Sequence, residues 1–94
     1  MILIANLIFD TINVEHITRH KVVPEEVEQA CHNKPLVERL DNGRLFVTGP
    51  TDSDRMLVVV LTPKVGGAFY PVTARSADKR ERRIYEQKMG GDDE

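Results

Sequence analysis

Phe69-Tyr70-Pro71-Val72-Thr73-Ala74-Arg75-Ser76-Ala77-Asp78-Lys79-Arg80-Glu81-Arg82-Arg83-Ile84-Tyr85-Glu86 reads as a strand that delivers an arginine and then turns straight into a basic helix. The strand runs from Ala68 to Ala74. Pro71 has no N–H to give to a ladder, so this strand belongs at a sheet edge or is bulged around residue 71. Asp78 has the chemistry of a helix N-cap, and Glu81 stands three residues on, the spacing of a capping box. A turn of about 100° per residue gathers Glu81, Ile84, Tyr85 and Lys88 on one side of the helix and Arg82, Arg83 and Glu86 on the other. Glu81 therefore faces the body of the protein, where a lone carboxylate is costly. Arg75 and Arg80 are its candidate partners.

The same stretch collects positive charge. Arg75, Lys79, Arg80, Arg82, Arg83 and Lys88 stand against Asp78, Glu81 and Glu86, in a chain whose net charge is −2. Residues 10–33 are acidic, with Asp10, Glu15, Glu25, Glu26 and Glu28 against Arg19 and Lys21. The tail closes on Asp92-Asp93-Glu94. A bound polyanion feels the local field, so the basic helix is a candidate docking site for something negative. The plain alternative is a solvated helix whose arginines make weak pairs with neighbouring glutamates.

Upstream of this stretch the pattern is that of an α+β domain. Met56 to Leu61 is a continuous apolar run rich in valine and reads as a central strand covered on both faces. Leu36 to Leu40 and Arg44 to Thr48 read as a hairpin around Asp41-Asn42-Gly43, where Asn-Gly supplies the positive φ of a tight turn. Lys64 to Gly67 is a turn. Pro24 to His32 reads as a helix, with Pro24 at its first position, Glu25 and Glu26 at its positive end, and Val22 stapled onto Val27. Residues 11–20 read as a shorter helix after Asp10, with Ile12, Val14 and Ile17 as apolar contacts and Asn13, His16 and His20 as a polar stripe. Ile2 to Phe9 is of strand length. The order β-α-α-β-β-β-β-α argues an antiparallel meander of four to five strands, with helices packed mainly on one side.

With 94 residues, 40% hydrophobic and 30% charged, the chain has the composition of one globular domain, expected over residues 1–89 with a flexible acidic tail over 90–94. The apolar start is too short to span a bilayer and lacks the basic region of a signal peptide. The single cysteine, Cys31, excludes an internal disulfide and fits the cytoplasm. No cofactor motif is present: Gly66-Gly67 is not followed by the lysine of a phosphate-binding loop. His16 and His20 stand at a metal-binding spacing, but no third ligand stands at recognisable distance, so no metal site is expected.

Thr73-Ala74-Arg75 followed by Arg80-Glu81-Arg82-Arg83-Ile84-Tyr85-Glu86 resembles the C-terminal signature of the BrnT toxin family, small bacterial ribonucleases of type II toxin–antitoxin pairs. Phe9-Asp10, Arg19-His20, Val22-Val23-Pro24-Glu25-Glu26-Val27, Asn33-Lys34-Pro35-Leu36 and Leu57-Val58-Val59-Val60 resemble further pieces of that family in the same order, over roughly residues 7–87. The resemblance implies a RelE-like fold, metal-independent cleavage of RNA, and silencing by a cognate antitoxin of the ribbon-helix-helix type. It also implies no DNA binding by this chain without that partner; no membrane partner is expected, given the short apolar start. The sequence departs from the family in its first helix, which often carries a lysine and ends His-Gly, where Asn13 and Lys21 stand here.

Metal-independent cleavage needs a base for the 2′-hydroxyl, an acid for the departing 5′-oxygen, and fixed cations around the phosphate. Arg75 is the leading candidate for the scissile phosphate, because a residue between a strand end and a helix start is held by two rigid elements. Lys79 supports it, and His20 is the candidate acid or base, with the capping of its own helix end as the structural alternative. Arg80, Arg82 and Arg83 are expected to bind the RNA backbone, and Tyr70 a base by stacking. Glu81 is assigned structural pairing. A chain of this fold that binds RNA or a partner without cutting is the competing expectation.

Overall fold

The computed structural model describes residues 3–90. Five strands form one sheet in the order β1-β5-β4-β3-β2, with β1 over Asn6–Leu7, β2 over Leu36–Arg39, β3 over Leu45–Pro50, β4 over Met56–Pro63 and β5 over Ala68–Ser76. Helix α1 spans Thr11–Arg19, α2 spans Pro24–His32 and α3 spans Lys79–Tyr85, followed by a looser turn over Glu86–Gly90. The architecture is α+β with a mixed sheet. Strands β2 to β5 form the expected antiparallel meander, but β1 pairs parallel to β5.

That parallel strand is much shorter than the apolar run from Ile2 to Phe9 suggested, and its neighbours explain why. Its two pairs are Asn6 with Ala68 and Leu7 with Phe69. One step back the ladder would meet Gly67, held at φ 81 in a turn. Two steps forward it would meet Pro71, which has no N–H to offer. Beyond Phe69 the edge of β5 therefore has no strand partner among the described residues. The register between β4 and β5 slips at this proline, Val60 pairing with Thr73 and Leu61 with Pro71, so Val72 is the extra residue of a bulge.

Strand β4 lies in the middle of the sheet and is buried on both faces, as its valine run requires. Leu57, Val59 and Leu61 share one face with Leu45, Val47 and Ala74, and that face packs on Ile17 of α1 and on Val27, Ala30 and Cys31 of α2. Gly49 lies in the same row of β3. A methyl group there would come within 3.0 Å of the Ala30 carbonyl carbon, so α2 rests directly on the strand backbone. Val22 and Val27, the expected staple, are both fully buried.

Helix α3 covers the opposite face. Arg75 and Glu38, which the ladder pairs with Val58 and Phe46 on that face, reach respectively to Glu81 of α3 and to Lys88 just after it. Val58 is 2% exposed there, and Thr48, its partner in β3, is buried as well. Two helices thus lie on one side and the third on the other, an extension of the expected one-sided packing. Residues 91–94, which carry most of the expected acidic tail, and Met1 and Ile2 lie outside the described residues.

Candidate functional site

Both helices that flank β5 begin with a carboxylate in a capping box. At α3, Asp78 Oδ1 accepts from the Glu81 N–H at 2.8 Å, and Glu81 Oε1 accepts from the Asp78 N–H at 2.9 Å. At α1, Asp10 and Asn13 exchange the same pair of bonds, each 2.9 Å. Asn13 also donates through Nδ2 to the Ile8 carbonyl and is only 2% exposed. The expected polar stripe therefore splits: Asn13 turns inward as part of the cap, and His16 and His20 remain exposed. Ile12, expected to be an apolar contact, is 73% exposed.

Helix α1 runs beside the free edge of β5. At one end the Tyr70 hydroxyl donates to both carboxylate oxygens of Asp10, at 3.0 and 3.1 Å. At the other end Arg55 bridges the helix to the strand: Nη2 donates to the His20 carbonyl at 3.3 Å, and Nε donates to the Ser76 hydroxyl at 3.1 Å. Between these anchors lies a cavity of about 420 Å³, lined on the helix side by Ile12, Asn13, Glu15, His16 and Arg19, and on the strand side by Tyr70 and Val72. The rings of His16 and His20 meet edge to face with centroids 5.6 Å apart. Arg19 reaches Glu15 at only 3.9 Å with both side chains largely exposed, a pair worth little.

Tyr70 is the strand-side wall of this groove. Desolvation, with the Asp10 hydrogen bond and charge behind it, pushes its phenol above the ordinary value, so it stays a neutral donor. The Asn13 N–H, chiefly, holds Asp10 below the usual carboxylate range. Lys64 Nζ sits 5.7 Å from the centre of the Tyr70 ring, within reach of a cation–π contact.

Arg75 is not in that cavity. Its guanidinium makes a two-pronged bond with Glu81, Nη1 to Oε1 at 2.9 Å and Nη2 to Oε2 at 2.8 Å, and Nη1 also donates to the Ser76 carbonyl at 3.2 Å. Of the two partners considered for Glu81, Arg75 is therefore the one that takes it. The Arg75 bonds hold the Glu81 carboxyl below the usual range, against the opposing effect of burial. Arg75 points toward α3 while α1 packs on the other face, so the structure brings Arg75 to Glu81 but not to the imidazole of His20.

Lys79, Arg80, Arg82 and Arg83 are all exposed. Among the described residues none of them pairs with a carboxylate. Arg82 donates to the Ala77 carbonyl at 3.1 Å, tying it back to the helix start. Tyr85 lies on the inward side as expected, its hydroxyl donating to the Lys34 carbonyl at 2.8 Å. Cys31 is buried at the inner face of α2, and burial pushes its thiol up to about 12, leaving it inert as a nucleophile. Among the described residues no group of three or more His, Cys, Asp or Glu side chains is arranged to hold a metal ion.

Two features of the site were not singled out in the sequence. Arg55 is one: besides His20 and Ser76, its Nη1 bonds the Lys21 carbonyl at 2.7 Å and both oxygens of Glu26, at 3.1 and 3.3 Å. These partners are far from it in the chain, and no local pattern marks it. The other is His16 as a wall of the cavity, whose only sequence signal is its place one turn before His20. A comparison with known protein families finds no match, and no curated protein matches the sequence. No helix among the described residues is long and apolar enough to cross a membrane.

Proposed function

We propose that the chain is the endoribonuclease of a bacterial type II toxin–antitoxin pair, cutting single-stranded RNA in the cytoplasm, without a metal, by attack of a 2′-hydroxyl on the adjacent phosphate. The observation that carries this reading is the groove along the free edge of β5. Helix α1 lines it with the imidazole of His16, whose ring meets that of His20 edge to face, Tyr70 supplies an aromatic wall, and the strand beyond leads into a helix whose Lys79, Arg80, Arg82 and Arg83 pair with no carboxylate among the described residues. His20 and His16 are the proton-transfer groups, since only imidazole changes charge near neutral pH without strong perturbation. Arg75, which lies away from the His20 imidazole, and Lys79 hold a backbone phosphate flanking the cut, Arg80, Arg82 and Arg83 steer the backbone, and Tyr70 stacks on a base. The ordered resemblance to the BrnT family, which covers all these positions except Tyr70, His16 and Lys79, supports the same reading. It extends it to a ribbon-helix-helix antitoxin that silences the enzyme and carries the DNA-binding activity of the pair.

A second reading is favoured by one observation: the end of the Arg75 guanidinium is already occupied by Glu81. A chain with its best phosphate ligand so engaged would bind RNA, or an acidic partner, without cutting. Purified protein incubated with single-stranded RNA in EDTA separates the two. The enzyme leaves cyclic phosphate ends, and its rate falls about 100-fold or more in His20→Ala or His16→Ala. RNA that is bound and left whole establishes the second reading, and cleavage abolished by EDTA refutes the metal-free mechanism.

A further inference from the structure

The pairing of Arg75 with Glu81 leaves part of the guanidinium unused, and the unused part has a definite shape. A guanidinium carries five N–H donors in a rigid plane. Glu81 takes one from Nη1 and one from Nη2, both on the edge at the tip, and the Ser76 carbonyl takes the second from Nη1. The two that remain, on Nε and on the outer side of Nη2, lie parallel on the flank of the group. Among the described residues Nε donates to nothing. Two parallel N–H bonds on one edge are the fork that grips two oxygens of a phosphate.

The Arg75 side chain is 42% exposed and that of Glu81 18%, so of the two partners the arginine is the more open to solvent. Glu81 is fixed in turn by its bond to the Asp78 N–H at the start of α3.

We propose that Glu81 is a positioning residue: it clamps the tip of Arg75 so that the Nε and Nη2 edge is presented outward as the seat for a phosphodiester of RNA. This rests on the ribonuclease reading above. Because the Arg75–Glu81 pair is close to neutral, the attraction that draws the phosphate in comes from the exposed, unpaired Lys79 and Arg80. The clamp contributes orientation, which matters to the reacting geometry more than to affinity.

The test uses Glu81→Gln. Glutamine keeps an oxygen for the Asp78 N–H, preserving the helix cap, but its amide cannot accept both prongs of the guanidinium. With RNA as substrate, KM should stay within about twofold of the wild type while kcat falls about 10-fold or more, the cost of a misdirected ligand. A signal independent of turnover accompanies it. The Nε–H resonance of Arg75, assigned through Arg75→Lys, should shift when the wild-type protein is titrated with a short single-stranded DNA, which lacks the attacking 2′-hydroxyl, and should not shift in Glu81→Gln. A wild-type protein that cuts RNA but shows an unmoved Nε resonance, or a Glu81→Gln variant that cuts as fast or faster, overturns the role of Glu81 and leaves the ribonuclease reading standing. A wild-type protein that neither cuts RNA nor binds the oligonucleotide overturns both.

Discussion

Replacing Gly49 with alanine should cost more stability than the same change at any other described glycine. Gly49 has no unusual φ, so its conformation is open to alanine; the obstacle is α2. The added carbon would stand 3.0 Å from the Ala30 carbonyl carbon and 3.3 Å from its Cα, with the carbonyl oxygen nearer still, and all three are helix backbone that cannot rotate aside. Restoring ordinary contact requires α2 to retreat by roughly 1 Å. A gap of that size forfeits a quarter to a half of the dispersion energy of each contact it opens. Val27, Ala30 and Cys31 are all buried against the sheet and all move together. Overpacking of this kind typically costs about 1–3 kcal/mol, and the absence of a side chain able to yield puts Gly49→Ala at about 3 kcal/mol, a drop in Tm of roughly 12–24 °C for a domain of this size. Gly43→Ala is the control: Gly43 has φ 88 but open space around it, so only conformational strain of about 1 kcal/mol applies. Urea denaturation of both variants measures the difference. A loss below about 1 kcal/mol for Gly49→Ala, or a larger loss for Gly43→Ala, would refute the direct seating of α2 on β3.

Three further outcomes are expected. Arg55→Met should destabilise the protein by about 2 kcal/mol in the same denaturation assay, because it strands Glu26 and the carbonyls that end α1; the part exposure of the pair keeps the loss below that of a fully buried ion pair. The Glu81 carboxyl is held below its ordinary value of 4.5, so its contribution to stability is complete above that pH and is lost as pH falls through the lower folded-state value. Acid titration of stability should therefore be shallower below pH 4.5 in Glu81→Gln than in the wild type. Cys31 should resist alkylation at pH 8 in the folded protein and react fully in denaturant; rapid labelling of the native state would contradict its burial.

How much of this was legible in the sequence depended on how local its cause was. The cap of α3 involves residues three apart, and the bulge in β5 follows from a proline that cannot join a ladder, so both could be read from a short window. The inward turn of Asn13 has a local cause too, since Asp10 and Asn13 stand at capping-box spacing, but helical periodicity competes with it and assigns Asn13 to the exposed stripe. The parallel pairing of β1 with β5 joins residues about 62 apart and is limited by a turn and a proline far from β1 itself. Arg55 is the extreme case. Its side chain binds groups from two helices and a strand end, and nothing in Ser53-Asp54-Arg55-Met56 announces that.

The two helices that flank β5 share one construction, and it constrains how function can be tested in this protein. In each a carboxylate of the capping box that starts the helix also holds a β5 side chain: Asp10 caps α1 and binds Tyr70, and Glu81 closes the cap of α3 and binds Arg75. An alanine at either acid removes a helix cap, worth about 1 kcal/mol, together with the orientation of the neighbouring side chain, so a loss of activity would not say which mattered. Amide variants separate the two. Asp10→Asn keeps an N-cap oxygen and Glu81→Gln keeps the bond to Asp78, while each offers only one acceptor where β5 now finds two. Stability near the wild type with altered RNA handling would assign these carboxylates to RNA binding through the β5 side chains they hold; equal losses of both would assign them to the helices alone.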